Sequence, residues 1–143
     1  HRFAGQIEIM NSQQGVIQDR TIYEDVEIFA RNLHQLQYMT DRDWQTYKDL
    51  FKNMAQFLRK PDLIIYLRAS TDTLLSRIKN RDRNFERDIS PEYLHSLNIS
   101  YDQWIKNCSD HKILVIESDG FNIFNDKEKL DAILSQIETE LSS

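Results

Sequence analysis

The sequence predicts an α/β protein in which helices flank a parallel sheet. Three short apolar segments, at residues 15–17, 63–67 and 113–116, are predicted strands, and helical patterns separate them. The middle segment, LIIYL, is continuously apolar, which is typical of a parallel strand that is buried on both faces. Strands that alternate with helices favour a parallel sheet, and we expect a single domain over residues 1–143. The helices are long and numerous for so small a sheet, so we also expect strands that lie outside this sequence.

The predicted helices are recognised by apolar periodicity and by the residues at their starts. Apolar side chains recur at steps of three and four from residue 22, and similar stripes follow further along the chain. Polar residues that can cap a helix precede the later stripes. These start signals are TDRD at 40–43, Ser70 or Thr71, Ser90 followed by Pro91, and FND at 124–126.

The helix that follows residue 40 carries large apolar side chains at heptad-like spacing. Such a stripe is more often a core face than a cofactor site, and its spacing also suits a contact between the helices of two subunits. We therefore expect a homodimer through helices 22–39 and 41–58. The Trp44 stripe consists of Trp44, Tyr47, Phe51, Met54 and Leu58.

Composition restricts the possible classes of protein. Acidic residues outnumber basic ones by 23 to 18 and the net charge is -5, which argues against a protein that coats nucleic acid. The longest apolar run is too short to span a bilayer, so we expect no membrane partner. The single cysteine, Cys108, fits a reducing cytoplasm. The histidines lack the spacing of metal ligands, and we expect no structural metal.

An acid and a base follow the first predicted strand. In open parallel sheets, ligands bind at the carboxyl ends of the strands. Asp19 and Arg20 come just after residues 15–17, behind Gln18, so we expect them at that edge. A role for Asp19 as a helix cap, with Arg20 solvated, explains their position equally well.

The sequence RIKNRDRNFERD, residues 77–88, places a cluster of basic residues between two predicted helices. Most of them are arginine, whose planar guanidinium forms forked hydrogen bonds with phosphate. A solvated charged connection would have a similar composition, but an arginine-rich loop together with an Asp-Arg pair at a strand end favours phosphoryl transfer. The basic residues are Arg77, Lys79, Arg81, Arg83 and Arg87.

Three sequences, QDRTIYEDVEIFARNL, PDLIIYLRAS and RIKNRDRNFERDISPEYL, occur in an order that resembles the deoxynucleoside kinases, and most closely their bacterial deoxyadenosine/deoxyguanosine kinase branch. The resemblance covers nearly the whole chain and corresponds to the C-terminal part of the family. It implies a P-loop nucleoside or nucleotide kinase fold, whose phosphate-loop segment and N-terminal strands are missing from this chain. It implies transfer of the γ-phosphoryl group of ATP, with Mg²⁺, to the 5′-hydroxyl of a purine deoxynucleoside. Without a phosphate loop, we expect this chain alone to be inactive.

The resemblance also implies roles for residues that bind the acceptor nucleoside. Asp19 would orient the 5′-hydroxyl and accept its proton, and Arg20 would support the phosphate site. Asp25 would read the base together with Arg2. Glu86 would reach the 3′-hydroxyl of the sugar.

On the donor side, the resemblance implies a lid at about residues 77–90. Arg77, Arg81 and Arg83 would contact the adenine or the phosphates of ATP. The loop from Asp119 to Ile123 would contact the adenine.

Two other functions stay open. A thymidylate-kinase-like nucleotide kinase shares the architecture and the arginine lid, but it needs a basic site for the phosphate of its acceptor. A non-catalytic helical interaction module would use the Trp44 stripe instead. A GxxxxGK[ST] sequence after an apolar strand would favour a kinase, and these 143 residues contain none.

Overall fold

The computed structural model describes the backbone of residues 2–81 and 89–143, and the side chains of residues 4–81 and 89–143. The chain divides into two compact units, His1–Lys60 with Ile99–Trp104, and Pro61–Asn98 with Ile105–Ser143. The single domain over residues 1–143 stays a prediction. The elements in chain order are α1 (Arg2–Asn11), α2 (Ile22–Glu24), a π-helical segment (Asp25–Ala30), α3 (Arg31–Gln35), α4 (Asp41–Ala55), β1 (Ile64–Arg68), α5 (Thr71–Arg81), α6 (Pro91–Asn107), β2 (Ile113–Glu117) and α7 (Lys127–Ser142).

The sheet of the second unit consists of the parallel strands β1 and β2. The register pairs Ile64 with Ile113 and Arg68 with Glu117. The last pair also forms an ion pair of 2.9 Å between Arg68 and Glu117. Two parallel strands need a long crossover connection, and α5 and α6 lie in it. The predicted parallel α/β arrangement is therefore confirmed.

Two predictions about strands are wrong. Residues 15–17 form no strand, and Ile17 is 99% exposed. A strand needs a neighbour that bonds to its backbone, and no strand in the described part of the chain pairs with this segment. The strand β1 is not buried on both faces, because its side chains alternate and Ile65 and Leu67 are 41% and 62% exposed.

The first unit is built around the continuous helical run from α2 to α3. The run begins at Ile22, as predicted, but it ends at Gln35 and not at residue 39. The next helix, α4, begins at Asp41, as predicted, but ends at Ala55 and not at residue 58. Gln37 has a left-handed φ of 61°, and the Tyr38 N–H donates to the Leu33 carbonyl at 2.9 Å. This is the backbone pattern that typically terminates helices.

The core of this unit lies between the π-helical segment and the helices that follow it. The helix α4 packs against this segment and against α3, and Tyr23 meets Phe51 edge-on with ring centroids 5.8 Å apart. Burial raises the pKa of the Tyr23 phenol. The buried apolar residues of the run are Ile22, Val26, Ile28 and Ala30.

The helix α1 is not predicted by the sequence pattern. Its buried residue among those described is polar: Gln6 is 6% exposed, and its side-chain amide donates to the side chain of Gln18. Hydrophobic periodicity detects apolar faces, so a helix held by a buried amide gives a weak signal.

The predicted start signals of the later helices are confirmed. In each case a side-chain oxygen accepts a hydrogen bond from a backbone N–H in the first turn, as N-caps do. No helix in the described ranges has the length and apolarity needed to cross a membrane. The caps and the residues whose N–H groups they bind are Thr40 with Asp43, Ser70 with Thr73, Ser90 with Tyr93, and Asp126 with Lys129.

Candidate functional site

Asp19 and Arg20 lie in an exposed turn directly before α2. Their predicted position at the carboxyl end of a strand is wrong, because residues 15–17 form no strand. Arg20 has a left-handed φ of 60°, which is uncommon outside glycine. Its guanidinium lies 5.2 Å from the centre of the Phe29 ring, within cation–π range. The N-cap of α2 is Thr21, so the alternative role of Asp19 as the cap of this helix is wrong. A strained backbone residue beside an accessible carboxylate is a feature often found at active sites.

Glu24 accepts hydrogen bonds at the end of this turn where α2 begins. Its Oε2 accepts a hydrogen bond from the Thr21 N–H at 2.9 Å, and its Oε1 accepts one from the Tyr101 hydroxyl at 3.4 Å. Asp25 is the next residue and is half-buried at the start of the π-helical segment. A role was predicted for Asp25 and none for Glu24. The T-x-x-E spacing from Thr21 to Glu24, a capping-box pattern, is the signal that identifies it.

In the second unit, polar residues follow both strands. Ser118, directly after β2, is 5% exposed. Its N–H and its hydroxyl both donate to the Arg68 carbonyl at the end of β1, at 2.7 and 2.9 Å. The carboxyl ends of the two strands are thus joined through one buried serine. This is the edge at which open α/β sheets bind their ligands.

Arg77 of α5 reaches this edge. Its Nη1 donates to the Ser118 hydroxyl at 3.2 Å, and its Nη2 donates to the Ser118 carbonyl at 2.5 Å and to the Phe121 carbonyl at 3.4 Å. Both terminal nitrogens of Arg77 are therefore engaged with the turn that follows β2. Arg81, one helical turn further along α5, is exposed.

Asp119 ties the same turn to the start of α5. Its Oδ1 accepts hydrogen bonds from the Ser70 N–H at 2.9 Å and from the Ser70 hydroxyl at 3.3 Å. The pKa of Asp119 lies below its ordinary value. The hydrogen bond from the Ser70 N–H lowers it most, and Thr73, the Ser70 hydroxyl and the positive charge of Arg77 act in the same direction. Because the folded-state pKa is lowered, this carboxylate stabilises the fold above about pH 4, and the stabilisation is lost as the pH falls through the lowered value.

The other predicted site residues are placed as follows. Ile123 is 52% exposed and lies between β2 and α7. Gly120, near the start of the same segment, has a left-handed φ of 64°. The side chain of Arg2, and Arg83 and Glu86 as a whole, lie outside the described residues.

The structure thus assembles two groups of predicted residues. Asp19, Arg20 and Asp25 belong to the first unit, and Arg77 and Asp119 meet the same turn of the second unit. Ser118 was not predicted. A small polar residue directly after a parallel strand is the signal for it.

The described residues contain no group of three or more His, Cys, Asp or Glu side chains placed to hold a metal ion. In phosphoryl-transfer sites Mg²⁺ is commonly bound by one or two carboxylates together with substrate phosphates and water.

The parallel sheet with polar residues along its carboxyl edge defines an open α/β protein, and its fold is that of the P-loop kinases. The family model for deoxynucleoside kinase matches residues 1–142, and the chain belongs to this family. The resemblance and the fold class predicted from the sequence are thereby confirmed.

Individual relatives agree with this membership. The deoxyadenosine kinase of Dictyostelium discoideum is 44% identical over 108 residues, which are 76% of this chain and 44% of that protein. The deoxyadenosine/deoxycytidine kinase of Bacillus subtilis is 32% identical over 138 residues, 95% of this chain and 64% of that protein. The chain thus spans between 44% and 64% of the length of these two relatives.

Solved structures of deoxyadenosine kinase from M. mycoides are similar in fold. The structure with the products dCMP and a flexible dCDP has a TM-score of 0.81 and 31% sequence identity, and the match covers 96% of this chain and 68% of that one. The structure with bound dATP has a TM-score of 0.78 at the same identity, and the match covers 95% of this chain and 68% of that one.

Proposed function

We propose that this chain supplies the acceptor-activating carboxylate and the phosphate-binding arginines of an ATP-dependent deoxynucleoside kinase. The reaction is transfer of the γ-phosphoryl group of magnesium-bound ATP to the 5′-hydroxyl of a purine deoxynucleoside, with deoxyadenosine as the first candidate. The observation that carries this function is the exposed Asp19–Arg20 turn with its left-handed Arg20, in a chain of the deoxynucleoside kinase family.

On the acceptor side, Asp19 is the proposed general base. Its carboxylate is exposed, so a sugar hydroxyl can approach it. In a loose phosphoryl-transfer transition state the attacking hydroxyl loses its proton late, and the carboxylate acts mainly by orienting that hydroxyl. Arg20, beside it, would stabilise the charge on the migrating phosphoryl group.

On the donor side, the arginines take two different roles. Both terminal nitrogens of Arg77 donate to the turn after β2, so its planar faces are the part suited to a nucleotide. A guanidinium face stacks well on an aromatic base, which supports a contact between Arg77 and the adenine, with the exposed Ile123 beside it. Arg81 and Arg83 would then bind the phosphates, to which arginine presents a bidentate fork.

The base of the acceptor would be read by Asp25 and Arg2, and its sugar 3′-hydroxyl by Glu86. We expect Asp25→Ala to alter the ranking of deoxyadenosine, deoxyguanosine and deoxycytidine, because a lost polar partner penalises one base edge more than another. Values of kcat/KM for the three nucleosides measure this ranking. Asp49→Ala, which changes an exposed aspartate of α4, is the matched control. An equal loss with all three nucleosides would contradict a recognition role for Asp25.

A homodimer contact is proposed for the helices of the first unit. The side chains Leu33, Leu36 and Leu50 are 39%, 44% and 56% exposed on α3, the turn after it and α4, and exposed apolar surface of this kind supports association. Measuring the mass of the protein in solution tests the contact. We also propose a cytoplasmic location, which the single cysteine favours.

These 143 residues alone are expected not to phosphorylate deoxynucleosides. They contain no GxxxxGK[ST] sequence, whose backbone N–H groups and lysine cradle the β- and γ-phosphates. The measurement is turnover of ATP and deoxyadenosine with Mg²⁺ by two proteins. One is the purified chain, and the other is a chimera in which the phosphate-loop segment of the Bacillus subtilis relative precedes residue 1.

The chimera separates the possible functions. Phosphorylation of deoxyadenosine by the chimera, and none by the chain alone, is the expected result. Robust turnover by the chain alone would contradict the need for a phosphate loop. A folded chimera that phosphorylates dTMP in preference to deoxyadenosine would favour the thymidylate-kinase-like alternative. A folded chimera without any turnover would favour the helical interaction module.

A further inference from the structure

The helix α5 is fastened at two points to the turn that follows β2. At its start, the Asp119 carboxylate binds the N–H and the hydroxyl of Ser70. Two turns later, Arg77 binds the hydroxyl and the carbonyl of Ser118. We call these four residues the α5 clasp. Its two sides are far apart in sequence, so the clasp is a tertiary feature and not a local cap.

The hydrogen bonds of the clasp are of the stronger kind, because one partner in each is charged. An anion, Asp119, accepts from a neutral amide and hydroxyl, and a cation, Arg77, donates to a carbonyl and a hydroxyl. Ser118, at the centre, is buried and also bonded to the Arg68 carbonyl. Gly120 follows with its left-handed φ of 64°, and this reversal lets both Asp119 and the Phe121 carbonyl bond to residues at or on α5.

Each side of the clasp continues to a residue proposed to bind the donor nucleotide. Along α5, the rigid helix carries Arg77 and then Arg81. Along the other side, the turn leads from Asp119 to Ile123 within a few residues. A displacement of this turn relative to α5 would therefore change the distance between Arg77 and Ile123.

We propose that Asp119 is a positioning residue, which sets the turn after β2 against α5 so that Arg77 and Ile123 together form the surface for the donor adenine. This role rests on the proposed kinase function, and it differs from a direct contact of Asp119 with ATP. The Asp119 carboxylate is already bonded to Ser70, and an anion at this place would repel the phosphates of a nucleotide.

The test uses Asp119→Ala and Asp119→Asn in the chimera. Asp119→Ala is expected to raise KM for ATP about 10-fold, the effect of losing charge-assisted hydrogen bonds, with kcat and KM for deoxyadenosine changed much less. Asp119→Asn keeps an oxygen that accepts from the Ser70 N–H, so it is expected to restore most of the affinity. Asp110→Ala, which changes an exposed aspartate before β2, is the matched control.

A second measurement does not depend on activity. Hydrogen exchange of the Ser70 amide, followed in the 143-residue chain, is expected to become about 10-fold faster in Asp119→Ala, because the acceptor of that amide is lost. Exchange is expected to stay near the wild-type rate in Asp119→Asn and in Asp110→Ala. If Asp119→Ala does not fold, Asp119→Glu moves the carboxylate by one methylene and is expected to raise both KM for ATP and the exchange rate.

The outcomes distinguish this role from the proposed function. An inactive wild-type chimera would overturn the proposed function, whereas the exchange rates would still report on the clasp. Unchanged KM for ATP in an active Asp119→Ala chimera would overturn the positioning role, as would an unchanged exchange rate. A fall in kcat at constant KM for ATP would also overturn it, because it would assign Asp119 to the chemical step.

Discussion

Replacement of Asp19 by asparagine in the active chimera is expected to lower kcat by roughly 10²–10⁴, the usual range for a positioned acid–base group. Asparagine has nearly the same size, so the turn and the left-handed Arg20 are expected to persist. KM for deoxyadenosine is then expected to change little, because the base and the sugar keep their contacts. The loss thus belongs to the orientation of the 5′-hydroxyl and the late acceptance of its proton.

Steady-state kinetics of Asp19→Asn measure this loss. Asp49→Asn is the control, because Asp49 is an exposed carboxylate on α4 of the same unit and has no proposed role. Near-normal turnover in Asp19→Asn would show that the acid of this turn serves the fold only. A large rise in KM at constant kcat would instead make Asp19 a binding group for the nucleoside.

The sequence predicted those parts of the fold that depend on local interactions. Thr40 and Ser90 bind N–H groups three residues further on, so their capping roles can be read from a few neighbouring letters. The segment 15–17 shows the limit of such reasoning. Whether three apolar residues form a strand depends on a partner elsewhere in the chain, and the apolar pattern alone does not contain that partner.

The candidate site was predictable in its residue types and not in its contacts. Asp19 was identified because it follows an apolar segment that was predicted to be a strand, and Arg77 because it begins an arginine-rich segment suited to phosphate. The bond between Asp119 and Ser70 joins residues 49 positions apart, and it follows from the pairing of β1 with β2 and the place of α5 beside them. The carbonyls that bind Arg77 could likewise not be predicted without knowing how β1 pairs with β2.

Replacement of Arg81 by alanine is expected to slow phosphoryl transfer on the order of 10³-fold, by analogy with arginines that contact the transferred group. Arg81 is exposed in the last described turn of α5. A cation at this place also stabilises the helix by about 0.3–1 kcal/mol through its interaction with the helix dipole. That effect on the helix is too small to account for such a loss of rate. Single-turnover measurements in the chimera separate the chemical step from nucleotide binding. Arg83, outside the described residues, is expected to behave in the same way.

The lysine variant decides between these two roles of Arg81. Lysine keeps the charge that the helix dipole needs but cannot present the bidentate fork, so Arg81→Lys is expected to restore helix stability and little of the rate. Lys79→Ala is the matched control, because it removes an exposed cation from the same turn. Full recovery of the rate in Arg81→Lys would show that only positive charge matters at this position. A comparable loss of rate in Lys79→Ala would show that the basic character of the lid matters more than any one of its arginines.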